Sequence, residues 1–275
     1  MVTVEVDTHL DIHVAVALDQ HGRELDTIHL PTNGNGHRPI LEWARGHGVP
    51  GTFGIEGTGS YGAGLTRYLR RNGVQVVEVI RPGKQTRRLS GKSDTIDAEA
   101  AARSVQAGTA LGQAKSQDGA VEMIRTLRVA RKSAMQARTQ AANQLHAVVV
   151  TAPEELRERL KLALKSLAVR YRNVAEEIAV LDVEIERLAH MTAPNLFQVK
   201  GIGPDTGAAL LIAAGDNPQR LRSEAAFAHM CGAAPIPASS GKTNRHRLNR
   251  GGNREANRAL HMLAIQRDFQ GADQR

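Results

Sequence analysis

Val2-Thr3-Val4-Glu5-Val6-Asp7 alternates apolar and polar residues at period two and stops on an acid. That is the pattern of a half-buried strand closed by a polar residue. Ile12 to Leu18 gives a second apolar strand, and Asp19-Gln20-His21-Gly22 a turn. Glu24 to Leu30 gives a third, so the chain opens on a three-stranded meander. Ile40, Leu41 and Trp43-Ala44 predict a short helix, and Thr52-Phe53-Gly54-Ile55-Glu56 a fourth strand that again ends on an acid. The glycine-rich Gly57 to Gly62 leads into a helix from Leu65 to Arg71, and Val74 to Ile80 forms a fifth strand.

Gly91-Lys92-Ser93-Asp94-Thr95-Ile96-Asp97-Ala98 then opens an alanine-rich helix. Residues three apart share a helix face, so the Asp94 and Asp97 carboxylates point into one space. An ordinary capped, acid-rich first turn is the plainer reading of this stretch alone. Two other acids, Asp7 and Glu56, end strands far away in sequence, and their joint placement is informative. Three antiparallel strands, then alternating helix and strand, then a helix bearing two acids is the order of an RNase H-like α/β fold. There Asp7 and Glu56 would sit on adjacent central strands, with Asp94 and Asp97 packed across them. Like charges crowded in one pocket repel, and a hard divalent cation such as Mg²⁺ is the natural remedy. Two such ions about 3.5–4 Å apart clamp both oxygens of a phosphoryl transfer. Lys84, Arg87, Arg88 and Lys92 precede the acidic pair with no acid among them, which suits contact with a phosphate backbone.

The chain has 275 residues and a formal net charge of +8, which favours a polyanionic partner such as nucleic acid. Aromatics are 3% of the chain, too few for a stacking-rich single-strand binder. A single cysteine, Cys231, excludes a disulfide framework and a cysteine-cluster zinc site. No apolar run reaches membrane-spanning length, so a cytoplasmic protein without a membrane partner is expected.

From Val121 to Val150 a helix places Val121, Ile124, Leu127, Ala134, Ala141, Leu145 and Val148 on one side, with Arg125, Arg128, Arg131, Lys132 and Arg138 on the others. Thr151-Ala152-Pro153-Glu154 reads as a fresh helix start. Leu160, Leu164, Leu167, Tyr171, Val174, Ile178, Leu181, Ile185 and Leu188 then step by fours and threes, a heptad seam. The seam serves equally well for a coiled coil between copies or a helix pair within one chain. Gly201-Ile202-Gly203 before the helix from Ala208 to Ala214 resembles a helix-hairpin-helix turn, whose glycines let backbone N–H groups approach a phosphate. Ala234 to Lys242 reads as an exposed loop containing Ser239 and Ser240. It feeds Arg245, Arg247, Arg250, Arg254 and Arg258, offset by Glu255 alone, a phosphate grip. These features divide the chain into domains at 1–115, 116–192 and 193–275.

Val6-Asp7-Thr8-His9, Ile55-Glu56-Gly57-Thr58-Gly59-Ser60-Tyr61-Gly62, Lys92-Ser93-Asp94-Thr95-Ile96-Asp97-Ala98, Gly201-Ile202-Gly203-Pro204-Asp205-Thr206, Cys231-Gly232-Ala233-Ala234-Pro235, Ser239-Ser240-Gly241-Lys242 and Arg250-Gly251-Gly252-Asn253-Arg254 occur in that order. Through them the chain resembles the DEDD transposases of bacterial insertion sequences, the insertion sequence 110 family. The resemblance implies a RuvC-like catalytic domain whose acids, Asp7, Glu56, Asp94 and Asp97, bind Mg²⁺. It also implies a C-terminal transposase domain supplying a serine nucleophile, Ser239 or Ser240, beyond the helical arm read from the heptad seam. It further implies DNA as substrate and an element-encoded guide RNA as a partner of some members, and the heptad seam gives the expectation of homo-oligomers through the arm. Lys242 and the arginines beyond it would neutralise phosphates.

Three departures qualify the resemblance. Leu10 stands where members carry lysine, the helical region between Thr151 and Val174 is short, and the chain ends at Arg275 where relatives continue. They leave open a second reading, a catalytically impaired nucleic-acid-binding remnant or a regulator of transposition. An actin-like kinase is disfavoured because Asp7-Thr8-His9-Leu10 offers no glycine-rich phosphate loop.

Overall fold

The alternation of Val2, Val4 and Val6 needs one burying surface, and two helices packed on that face of the sheet supply it. The computed structural model describes residues 1–79, 115–153, 157–239 and 243–272. In it β1 (Val2–Thr8), β2 (Ile12–Leu18), β3 (Glu24–Pro31), β4 (Pro50–Glu56) and β5 (Gln75–Val79) form one sheet in the order β3-β2-β1-β4-β5. β1, β2 and β3 run antiparallel in turn, whereas β4 is parallel to β1 and β5 to β4. Two helices make the crossovers that the parallel strands require, α1 (Gly34–Gly46) and α2 (Ala63–Arg71). Val4 and Val6, with Ala15, Ala17, Phe53 and Ile55, are buried against Ile40, Leu41 and Ala44 of α1 and Leu65 and Leu69 of α2. Each such large side chain contributes about 1.5–3 kcal/mol through burial. Glu5 and Asp7 fall on the opposite face, where β2 places Val16 and Val14 beside them. α1 is longer than the expected short helix. Asn33 accepts a hydrogen bond from the Asn35 N–H and starts the helix ahead of the apolar residues that announce it.

Contacts divide the chain into two units, Met1–Asp118 and Gly119–Arg275. The second unit is built on two long helices, α3 (Ala120–Thr151) and α4 (Arg157–Thr192), packed against each other. Thr151 closes α3, its hydroxyl donating to the Ala147 carbonyl, rather than starting the next helix. On the α4 seam Ile178, Ile185 and Leu188 are buried, while Tyr171 is 40% exposed, so the packing is tightest towards the C-terminal end of α4. There Ile124, Ile185 and Leu188 join Ala208 of α5 (Pro204–Ala214) in one core. The other side of α5 packs through Ala209, Leu210 and Ala213 on Cys231, Ala256 and Ala259. These last residues lie after α6 (Glu224–Met230) and on α7 (Arg254–Ala272). The stretch expected as a plain loop holds a two-stranded ribbon, β6 (Ile236–Pro237) paired with β7 (His246–Arg247). Among the described residues no helix is long and apolar enough to cross a membrane.

Candidate active-site residues

Val6 pairs with Ile55 in the parallel ladder between β1 and β4. The residues that follow, Asp7 and Glu56, therefore come at the carboxyl ends of neighbouring strands on one face, the end where open α/β sheets take their ligands. Asp7 is only 9% exposed, and its Oδ1 is buried without a hydrogen-bond partner. Its Oδ2 lies 3.1 Å from His9 Nε2. Leaving a carboxylate oxygen dry and unpaired is costly, and coordination to a hard cation relieves that cost. Thr8 ties the two strand ends together, its hydroxyl donating to the Glu56 carbonyl at 2.7 Å. His9 and Thr8 went unassigned in the sequence, although both stand beside Asp7. Asp7 and Glu56 fit a divalent cation by donor type and by the orphaned oxygen. Asp94 and Asp97, with Lys84, Arg87, Arg88 and Lys92, lie outside the described residues. Among the described residues no three His, Cys, Asp or Glu side chains gather into a metal-binding group.

In the second unit, Ser239 sits beside the β6–β7 ribbon. Ala238 N–H donates to the Arg245 carbonyl at 2.8 Å, closing the hairpin. The Ser239 hydroxyl accepts from the Arg245 N–H at 3.2 Å and lies 3.0 Å from Asn244 Oδ1, to which it donates. Ser239 is thus exposed but engaged. Ser240 and Lys242 lie outside the described residues. Arg245, Arg247, Arg250, Arg254 and Arg258 are all exposed. Gly201 has φ of +93°, and a side chain there would meet Leu263 Cδ1 at 2.9 Å, so one glycine of the hairpin faces α7. Gly203 is open, with nothing within 4 Å of the place a side-chain carbon would take, and precedes the first turn of α5.

Asparagines that carried no role in the sequence hold the arginine segment in place. Asn249 Nδ2 donates to the His229 carbonyl at 3.0 Å and Asn257 Nδ2 to the Cys231 carbonyl at 3.0 Å. Asn253 N–H donates to the Met230 carbonyl at 2.7 Å, and its side chain accepts from Ala256 N–H at 3.0 Å. Gly-Gly-Asn ahead of an alanine-containing run was the available signal, a turn followed by an N-cap. Cys231-Gly232 and Gly251-Gly252-Asn253, widely separated in sequence, are therefore neighbours. Burial raises the Cys231 thiol pKa, so it is a packing residue.

Comparison with known proteins gives a family for both units. Residues 4–152 match a family described as transposase, the DEDD type of IS110. Residues 193–270 match the transposase family IS116/IS110/IS902. A stretch of 109 residues is 34% identical to the insertion element IS110 uncharacterized 43.6 kDa protein of Streptomyces coelicolor. That stretch covers 38% of this chain and 27% of the relative. The first match alone spans more than half of the chain, and the second accounts for most of the remainder: the chain belongs to the IS110 family of insertion-sequence transposases.

Proposed function

We propose that this transposase cuts and rejoins DNA, using Asp7, Glu56, Asp94 and Asp97 to hold Mg²⁺ and Ser239 or Ser240 as nucleophile. The observation that carries the proposal is the buried, unpartnered Oδ1 of Asp7 at the end of a strand whose neighbour ends on Glu56. The strand order β3-β2-β1-β4-β5, antiparallel on one side and parallel on the other, supports an RNase H-like reading of the first unit. The division into a catalytic domain 1–115, a helical arm 116–192 and a transposase domain 193–275 belongs to the same proposal.

Bound Mg²⁺ would withdraw charge from the reacting phosphate. His9 holds Asp7 by one oxygen and leaves the other to the site. The attacking serine forms an Oγ–P bond as one bond from phosphorus to a deoxyribose oxygen breaks, and the serine proton ends on the departing oxygen. Attack by a free hydroxyl of another strand reverses the step, so the bond energy is kept for rejoining. Arg245, Arg247, Arg250 and Arg254 lie exposed to neutralise the backbone, and Lys242 is assigned with them. Because the Ser239 hydroxyl already braces the ribbon through Asn244 and Arg245, Ser240 is the better nucleophile.

The test is cleavage of supercoiled DNA carrying the ends of the element, with Mg²⁺ and any RNA the element encodes. A covalent protein–DNA adduct is expected, abolished by Asp7→Ala and by Ser240→Ala, and only weakened by Ser239→Ala. An adduct that survives Asp7→Ala would overturn the acid assignment. The second reading, a binding remnant without catalysis, rests on Leu10, which is 65% exposed in the β1–β2 turn where the family resemblance expects lysine. Nucleic-acid binding with no adduct in the wild type would favour it.

A further inference from the structure

Between Met123 and Pro153 the sequence has no Asp or Glu, although it carries Arg125, Arg128, Arg131, Lys132 and Arg138. The partner helix α4 is different, with Glu176, Glu177, Asp182, Glu184 and Glu186. From Met123 onward α3 is acid-free, and this stretch forms the floor of a groove of about 1190 Å³, walled by α5 and α7 within the second unit. Along that floor the basic end, Arg128, Arg131 and Lys132, passes into an amide end, Gln136, Gln140, Asn143 and Gln144. From Arg125 to Ala147 the floor is about 33 Å long at 1.5 Å per residue. Small-molecule pockets run to about 1,000 Å³ and bury most of their ligand, whereas this trough is long and open to solvent along its length.

We propose that the groove binds a single nucleic-acid strand, its phosphates on the basic end and its base edges on the amides. The inference rests on the transposase reading above and adds to it a binding surface on the arm. The four amides are exposed, and none makes a hydrogen bond among the described residues. Each offers donors and an acceptor together, which match base edges that pairing in a duplex would occupy. No aromatic residue lines the groove, so recognition runs through hydrogen bonds and phosphate charge rather than stacking. The cations are presently held by acids, two of them lining the groove and one, Asp182, on α4. Arg128 pairs with Asp205 at 2.9 Å, Arg131 with Asp182, and Lys132 lies 3.9 Å from Glu255. Such partly exposed pairs are weak, so a strand of phosphates can exchange with them. Arg258 on the α7 wall has no such pair among the described residues.

The experiment measures binding of the full chain to labelled 12-nucleotide single-stranded DNA, the same sequence as RNA, and the duplex, by fluorescence anisotropy. The variants are Gln140→Glu/Asn143→Glu and Gln140→Lys/Asn143→Lys. Both new residues are helix formers at exposed positions, and circular dichroism checks that helicity is kept. Expected is a single strand bound more tightly than the duplex, weakened about tenfold or more by the glutamates and tightened by the lysines. The DNA and RNA arms identify which strand is preferred. Single-strand binding that neither double variant changes would overturn the groove and leave the catalytic proposal standing. A wild type that binds no single strand, or binds the duplex better, would overturn the groove as well. Adduct formation tested with Asp7→Ala remains an independent measure of catalysis.

Discussion

His13 is fully buried on β2, and neither of its ring nitrogens is hydrogen-bonded. Its ring stacks on His37 with centroids 6.4 Å apart. Burial, then the neighbouring charges of His37 and His9, lowers its pKa from 6.5 to about 4. His37 moves in the same direction, also chiefly through burial. A lowered pKa keeps the native ring neutral, while the unfolded chain takes up the proton first. Stability from this source is therefore complete above pH 6.5 and is lost as the pH falls from there towards 4. At about 1.4 kcal/mol per pH unit the loss reaches up to about 3 kcal/mol. Urea unfolding at several pH values should show it, and His13→Phe should flatten the profile across that window. Parallel profiles for the two proteins would refute the assignment. The sequence placed His13 in a strand but gave it no such role, because a period-two pattern says which face a residue takes and not what waits there.

Among the elements, the α6 C-terminus and the start of α7 cross at close backbone distance. Gly232 has φ of +69°, a conformation glycine adopts freely. A side chain on Gly252 would overlap the backbone of Gly232. Gly252→Ala is expected to cost about 3 kcal/mol or more, since two backbones must separate. The neighbouring Gly251→Ala is the control, because its side chain would meet only Asn249 Oδ1 at 3.6 Å. Chemical denaturation of both variants decides it, and equal stability would refute the close crossing. Gly232 and Gly252 each belong to a motif visible in the sequence. That the motifs touch could not be read there, since contact between distant segments leaves no local periodicity. The heptad seam was legible, and its partner is α3 of the same chain.

At the scale of the molecule, the seam of α4 is already occupied, so self-association needs another surface. Leu162, Val169 and Val183 recur at multiples of seven on α4 and are 79%, 37% and 67% exposed. An exposed apolar line of this kind suits a second copy. We expect the protein to sediment as an oligomer, and Leu162→Lys/Val169→Lys/Val183→Lys to sediment as a monomer. A wild type that stays monomeric with and without nucleic acid would refute this. The sequence by itself determined the five strands, the acids that end two of them, the helical arm and the basic C-terminal segment. Each is written in local periodicity, caps or charge, which neighbouring residues set among themselves. Only the tertiary structure decided that the seam closes within the chain, that Asp7 keeps a dry, unpaired oxygen, that Ser239 braces a ribbon, and that the basic and amide stretch of α3 floors a groove. Those properties depend on which surfaces distant segments bury against each other, and burial of that kind is fixed by the whole chain at once.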